Sequence, residues 1–343
     1  MIPDAFGESE RWSIGVEEEL FVLHAETLAP SPFPREALDG VRLKPELFAA
    51  AVELNTGICG SPAEAVAELA ELRAKAKQLA SGAGLVLAAA GTWPTAASEE
   101  QPITDDEGYR RFVEYAGSSA RRQYCSGLHV HVGMESPEAC MAALESVLPW
   151  LPLVLAVSAN SPYREGRESG LASARAEMLT LLPRSGAPPP FASYADWETF
   201  SERLLRLGLA DDYTRIWWDV RPHPRFGTLE IRMPDQPTSL AASAALVSFV
   251  HALVVSAHGD GHADRGVFGE NRWAASRFGR EARLIHPDGS RLVAATELLD
   301  ELVGRVGEDV VDAVRGLNQA GEQLELGRAQ GLETLCRHLI ALT

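Results

Sequence analysis

The stretch Ile14-Gly15-Val16-Glu17-Glu18-Glu19-Leu20-Phe21-Val22 constrains this chain more than any other. Apolar residues at both ends read as a buried strand, and three carboxylates in the middle contradict that reading. Side chains alternate faces along a strand, so Glu17 and Glu19 share one face and Glu18 takes the other. Buried acids side by side repel each other, and leaving them unpaired is costly or forces protonation. A divalent cation removes both problems. The plainer alternative is a solvated edge strand with its hydrophobics on the far face.

Two later stretches repeat the anomaly. In Ser126-Gly127-Leu128-His129-Val130-His131-Val132-Gly133, the two histidines share a strand face. They read as a metal or phosphate contact, or as two core histidines satisfied by backbone. The flanking glycines permit close approach of a ligand. In Thr228-Leu229-Glu230-Ile231-Arg232-Met233, Glu230 and Arg232 share one face. They read as a salt bridge on a solvated face, or as a metal-binding carboxylate beside a phosphate-binding guanidinium. Glu53 adds an acid to a further strand. Carboxylate oxygens predominate in this set, which suits magnesium or manganese better than zinc. It also suits a nucleoside triphosphate held through such ions.

The remaining sequence sets the context. A formal charge of −17 and a pI near 5.0 argue against nucleic acid or an anionic membrane as the main partner. Cys59, Cys125, Cys140 and Cys336 form no CxxC pair, so reduced thiols in a cytoplasmic protein are expected. The first ten residues lack the basic and apolar regions of a signal peptide. The apolar run Leu144–Ala159 is short and holds two prolines, so it reads as a buried helix.

The spacing predicts strands over 12–23, 48–57, 85–90, 124–134, 216–220 and 227–233, the last two joined through Arg221-Pro222-His223-Pro224. Helices are expected over 61–80, 137–159, 193–208 and 239–258, with 92–123 a long polar connection and 160–190 irregular. Ser61-Pro62-Ala63-Glu64 is a helix start, with a capping serine and proline at the first helical position. Strands and helices mix without strict alternation. The expected class is therefore α+β, a largely antiparallel sheet with helices packed on one side. Residues 1–343 read as a single catalytic domain, with 1–11 loosely attached and about 280–343 a helical C-terminal part. The helix over 137–159 could pack internally or against a second copy, which leaves a homodimer open.

The succession of Gly15–Leu20 (GVEEEL), Ser126–Gly133 (SGLHVHVG), Val157–Pro162 (VSANSP), Ile216–Pro222 (IWWDVRP) and Gly227–Asp235 (GTLEIRMPD) resembles the type 2 glutamate–cysteine ligase family, also called carboxylate–amine ligases. The likeness covers about residues 12–280. The strand pattern, the HxH and the ExR also resemble the glutamine synthetase catalytic fold. The resemblance implies a curved antiparallel sheet forming a funnel and ATP-dependent joining of a carboxylate to an amine. Its default substrates are L-glutamate and L-cysteine, which give γ-glutamylcysteine through an acyl phosphate. Carried over, Glu17, Glu19, Glu53, His129 and Glu230 would be metal ligands. His131 and Arg232 would contact ATP phosphate, with Arg232 and Glu230 the catalytic pair. Candidates for the substrate carboxylate are Arg164, Arg175 and Arg221. Trp217 and Trp218 read as packing. One alternative is a ligase on a different amino acid and amine pair. Three other classes compete: a guanidino-kinase-like phosphotransferase, a non-catalytic nucleotide- or metal-binding protein, and a zinc hydrolase using the two histidines.

Overall fold

The protein is described by a computed structural model covering residues 2–257 and 263–343. Its strands are β1 (Ile14–His24), β2 (Leu43–Pro45), β3 (Ala51–Asn55), β4 (Leu85–Ala88), β5 (Leu128–Gly133), β6 (Tyr163–Arg164), β7 (Arg167–Glu168), β8 (Val220–His223) and β9 (Thr228–Ile231). A small hairpin, β10 (Arg283–Ile285) and β11 (Leu292–Ala294), follows. The helices are α1 (Pro62–Gly82), α2 (Glu107–Ala116), α3 (Ser118–Arg121), α4 (Pro137–Val147), α5 (Leu151–Ser158), α6 (Ala174–Leu179), α7 (Tyr194–Arg206) and α8 (Leu240–Val255). They continue with α9 (Arg265–Phe278), α10 (Ala295–Val306), α11 (Glu308–Arg315), α12 (Gln319–Gln330) and α13 (Leu332–Leu342).

The main sheet runs β2-β3-β1-β5-β9-β8, with β4 also paired to β1, and every pairing is antiparallel. The α+β class read from the sequence is the one observed. Register assigns the two faces. Val16, Val130, Ile231 and Val220 lie side by side across four strands, buried in one core with Leu144, Leu246 and Phe249 of α4 and α8. Leu20, Val22 and Val52 meet Leu72, Ala76 and Ala80 of α1 in a second cluster.

The opposite face carries three polar rows: Lys44–Glu53–Glu19, Asn55–Glu17–His129, and Gly15–His131–Glu230–Arg221. Beyond Glu19 this face closes over. Phe21 packs on Trp93 and Tyr124, with ring centroids 6.3 and 4.9 Å away, in a cluster that also takes Leu335 and Leu339 of α13.

Helix starts agree with the sequence. Ser61, Ser136, Ser193 and Ser239 each cap a helix by accepting a backbone N–H three residues on. The helix expected over 239–258 is observed to Val255, and His258 lies outside the described residues.

Several expectations need correction. The connection 92–123 holds α2, capped by Asp106, with Tyr109, Phe112, Val113 and Ala116 facing the core. The helix 137–159 is broken by a 3-10 turn at Leu148–Trp150, where Pro149 and Pro152 interrupt the hydrogen-bond ladder. Its apolar residues lie inside the core. The segment 160–190 contains the β6–β7 hairpin and α6. Arg221-Pro222-His223 is a strand and not a connector, and its proline is tolerated because β8 is the sheet's edge. Residues 2–11, read as loosely attached, are packed. Ile2 is buried, and Ala5 and Gly7 donate to the carbonyls of Pro224 and Met134.

Candidate active site

The open-face rows gather acids into two clusters, whose ligand atoms lie within 4.8 Å of one another: Glu17, His131 and Glu230 in the first, and Glu19, Glu46 and Glu53 in the second. His129 sits between them, its Nδ1 3.1 Å from Glu17 Oε2 and its Nε2 3.9 Å from Glu19 Oε1. The sequence reading gave His129 to a metal and His131 to phosphate. In the structure His131 is the histidine in a cluster.

In the first cluster the protein supplies its own cations. Arg221 donates to Glu230 from Nε at 2.5 Å and from Nη2 at 3.3 Å, and Arg232 donates from its Nη1. Burial pushes the Glu230 carboxyl up, but Arg221 and Arg232 hold it well below the usual carboxylate range. Burial likewise raises Glu17, and His129 and His131 more than reverse that. His131 Nδ1 lies 3.0 Å from Thr228 Oγ1, which fixes the ring. Burial lowers the His131 pKa, and Glu230 and Glu17 carry it above the ordinary value. Burial and Arg232 push His129 down to about 4.

The second cluster is crowded and undercompensated. Burial, opposed by Arg175 and reinforced by Glu53, raises Glu19 to about 7. Burial with Glu19 and Glu53 drives Glu46 well above its ordinary value, and burial with Glu17 raises Glu53. The cation bonded to these acids is Lys44, 3.3 Å from Glu53. Asn55 donates to Glu53 at 2.8 Å, and the Gly127 amide donates to Glu19 at 2.6 Å. Carboxylates forced together in this way fit a hard divalent cation, because the ion's charge replaces the protons the cluster otherwise needs.

The predicted arginines separate. Among the described residues the Arg232 side chain makes a single hydrogen bond, to Glu230, which leaves N–H donors unused. Arg221, a candidate for the substrate carboxylate in the sequence, is instead largely engaged by the protein. It makes four hydrogen bonds, two to Glu230 and two to the carbonyls of Thr214 and Ile216, and a guanidinium has five N–H donors. Arg164 pairs with Glu165 at 2.8 Å in the β6–β7 hairpin. Arg175 is buried, donates to the carbonyls of Met233 and Arg232, and leaves Nε without a partner. It lies against Gly127, where a Cβ would come 2.0 Å from Nη2. Trp218 stacks on Phe200 and Trp217 packs at a tilt against Phe112, as packing residues.

Glu46 escaped the sequence reading. It follows a three-residue strand, too short to show alternation, and its signal was its place one residue past Pro45 on the chain leading to the Glu53 strand. Glu18, on the helix side, is fully buried and takes Arg73 in a two-pronged pair, Nε to Oε2 at 2.7 Å and Nη2 to Oε1 at 2.8 Å.

Comparison with known proteins gives the class to which this fold and site belong, the ATP-dependent carbon–nitrogen ligases. Residues 13–335 match the family model for glutamate–cysteine ligase family 2 (GCS2), and the chain belongs to that family. A Rubrobacter xylanophilus protein provisionally called glutamate–cysteine ligase 2-3 is 42% identical over 308 residues, 88% of this chain and 85% of the relative. A glutamate–cysteine ligase of Haloferax volcanii is 33% identical over 346 residues, covering 95% of this chain and 96% of that protein. Among solved structures, glutamate–cysteine ligase from Francisella tularensis in complex with AMP shares the fold. Its TM-score is 0.71 at 15% identity, over 97% of this chain and 89% of that one.

Proposed function

We propose that this chain joins L-glutamate to L-cysteine at the expense of ATP, giving γ-glutamylcysteine, ADP and phosphate through an acyl phosphate. The observation that carries this reading is the register that brings Glu17 of one row against His131 and Glu230 of the row Gly15–His131–Glu230–Arg221. It sets a carboxylate–imidazole–carboxylate cluster beside Arg232. The family named above and its glutamate–cysteine ligase members supply the substrate pair.

A carboxylate does not react with an amine at neutral pH because oxide is a poor leaving group. Phosphorylation converts that oxygen into part of a departing phosphate. Glu17, His131 and Glu230 would hold one magnesium or manganese ion, and Glu19, Glu46 and Glu53 a second. When bound, such ions neutralise triphosphate charge and polarise the γ-phosphoryl group. Arg232 presents its remaining N–H donors to the oxygens on which charge builds during transfer. Glu230 fixes the Arg232 fork, and Arg221 fixes Glu230. His129, held neutral by burial and Arg232, orients Glu17. Arg175 is the candidate left for a substrate carboxylate, through its unpartnered Nε. The amine then attacks the acyl carbon, phosphate leaves, and no protein nucleophile is required. A cytoplasmic location fits the reduced cysteines.

The test is a screen of amino-acid pairs for magnesium-dependent ADP release. ADP formation that requires both glutamate and an amine supports the ligase, with cysteine the best acceptor. A stable phosphorylated product formed without an amine would replace it with a phosphotransferase.

A further inference from the structure

The turn between β8 and β9 presents an aromatic ring that core packing does not explain. Phe226 is 46% exposed, yet its ring stacks on His223 with centroids 4.2 Å apart and planes at 14°. It also stands edge-on to His131, 5.6 Å away at 71°. His131 belongs to the first acid cluster. A large apolar ring is therefore held half in solvent at the rim of a charged site.

The turn that carries it is braced from several directions. Phe226 N–H donates to the carbonyl of His223, and Gly227 N–H to that of Pro224. Arg225 N–H donates to the Tyr213 hydroxyl. From below, Ala5 N–H donates to the Pro224 carbonyl, and Met134 N–H to that of Gly227. Gly227 has φ +64°, and any Cβ there would fall 2.3 Å from the Ala5 carbonyl oxygen, so the turn demands glycine. A ring fixed by so many main-chain bonds loses little freedom when something lies on it. Arg225, next in the turn, is exposed and makes no side-chain ion pair among the described residues.

A half-exposed ring on a rigid mount, with a free guanidinium beside it and a polyphosphate site behind it, has the layout of a nucleotide-base platform. In ATP the ribose and α-phosphate separate the base from the metal-bound phosphates, so the base belongs at the rim and not over the acids. We infer that Phe226 is the stacking platform for the purine base of ATP, with Arg225 facing the sugar–phosphate link. This rests on the triphosphate reading above and adds the residue that distinguishes a nucleotide from bare polyphosphate.

The test compares two probes in the presence of magnesium by calorimetry: the non-hydrolysable analogue AMP-PNP and inorganic tripolyphosphate. Phe226→Ala weakens AMP-PNP binding roughly tenfold and leaves tripolyphosphate binding unchanged, while Phe226→Trp restores the analogue. In turnover, Phe226→Ala raises the KM for ATP and spares kcat. Phe226 is half exposed, so the melting temperature of the alanine variant, measured alongside, stays near wild type. Equal weakening of both probes would mean that the ring braces His131 and does not stack on the base. No change in either would remove it from the site. A wild-type protein that binds neither probe overturns the triphosphate reading itself, and this assignment with it, a result distinct from either variant outcome.

Discussion

Glu18 and Glu19 are adjacent in the chain, are both largely withdrawn from water, and meet opposite electrostatic solutions. On the helix side, Glu18 has a complete set of protein partners: Arg73, the Ser243 hydroxyl at 2.5 Å and the Gln236 amide at 3.1 Å. Burial raises its pKa, and Arg73 more than offsets that. On the open side, Glu19 shares its space with Glu46 and Glu53 and stays protonated up to about 7. The first face is closed and complete. The second is short of positive charge, which is the signature of a place where something cationic belongs. The teaching is that burial alone does not mark a functional acid. What marks it is burial without enough partners from the protein.

Four experiments break or sharpen this contrast. The largest effect is expected from Glu230→Gln, which lowers kcat by roughly a thousandfold. It also leaves Arg221 buried without its carboxylate, at a cost of about 3 kcal/mol. ADP release and urea denaturation measure the two losses, and unchanged turnover would remove Glu230 from the chemistry.

Next, Arg73→Met strands Glu18 in the core and costs about 3–5 kcal/mol, whereas Arg73→Met with Glu18→Leu recovers most of it. Both leave the magnesium affinity measured by calorimetry where it was. A shift in that affinity would show that the two faces are not independent.

The open face predicts a pH effect of the opposite sign to an ordinary salt bridge. A folded-state pKa raised from 4.5 to about 7 means that Glu19 contributes stability below pH 4.5 and loses it as pH rises through 7. Metal-free protein therefore loses about 3 kcal/mol over that window from Glu19. Magnesium at pH 7.5 returns the melting temperature upward, and Glu46→Gln flattens the dependence. Melting curves with magnesium and with a chelator across this range give the answer. A metal-free protein whose stability is level from pH 4.5 to 7 would contradict the crowding.

The smallest effect is Gly127→Ala, in which the new methyl displaces Arg175 and costs about 1–3 kcal/mol. Because the Gly127 amide holds Glu19, the magnesium affinity also drops. A stability loss with unchanged affinity would separate Arg175 from the acid cluster.

Much of this arrangement was legible because strand geometry is periodic. Once Glu17, Glu19, Glu53, His129, His131 and Glu230 are placed on strands, alternation fixes their faces, and antiparallel register does the rest. What was not legible lay where periodicity fails. Glu46 follows a strand of three residues. Arg73 occupies one position in an otherwise ordinary amphipathic helix, and only tertiary packing turns it onto Glu18. Arg221-Pro222-His223-Pro224 reads as a connector, yet Val220–His223 forms the edge strand, where a proline is tolerated that an inner strand would not take. The pattern of α2 was present in Tyr109, Phe112, Val113 and Ala116, with Asp106 as cap. It was hidden by the polar residues between them.

The two ion-ready clusters also differ in how far apart along the chain their members lie, and this bears on biogenesis. Glu19 and Glu53, on the paired strands β1 and β3, and Glu46 just ahead of β3 all come from near the start of the chain, whereas the other trio needs Glu17 of β1 to meet His131 of β5 and Glu230 of β9, far along the sequence. A growing chain can assemble the near cluster early, but the distant one cannot exist until Glu230 has emerged from the ribosome and its strand has docked. Magnesium captured by that trio would favour only finished molecules. The cation would then serve as an inspector of folding before it takes any part in turnover.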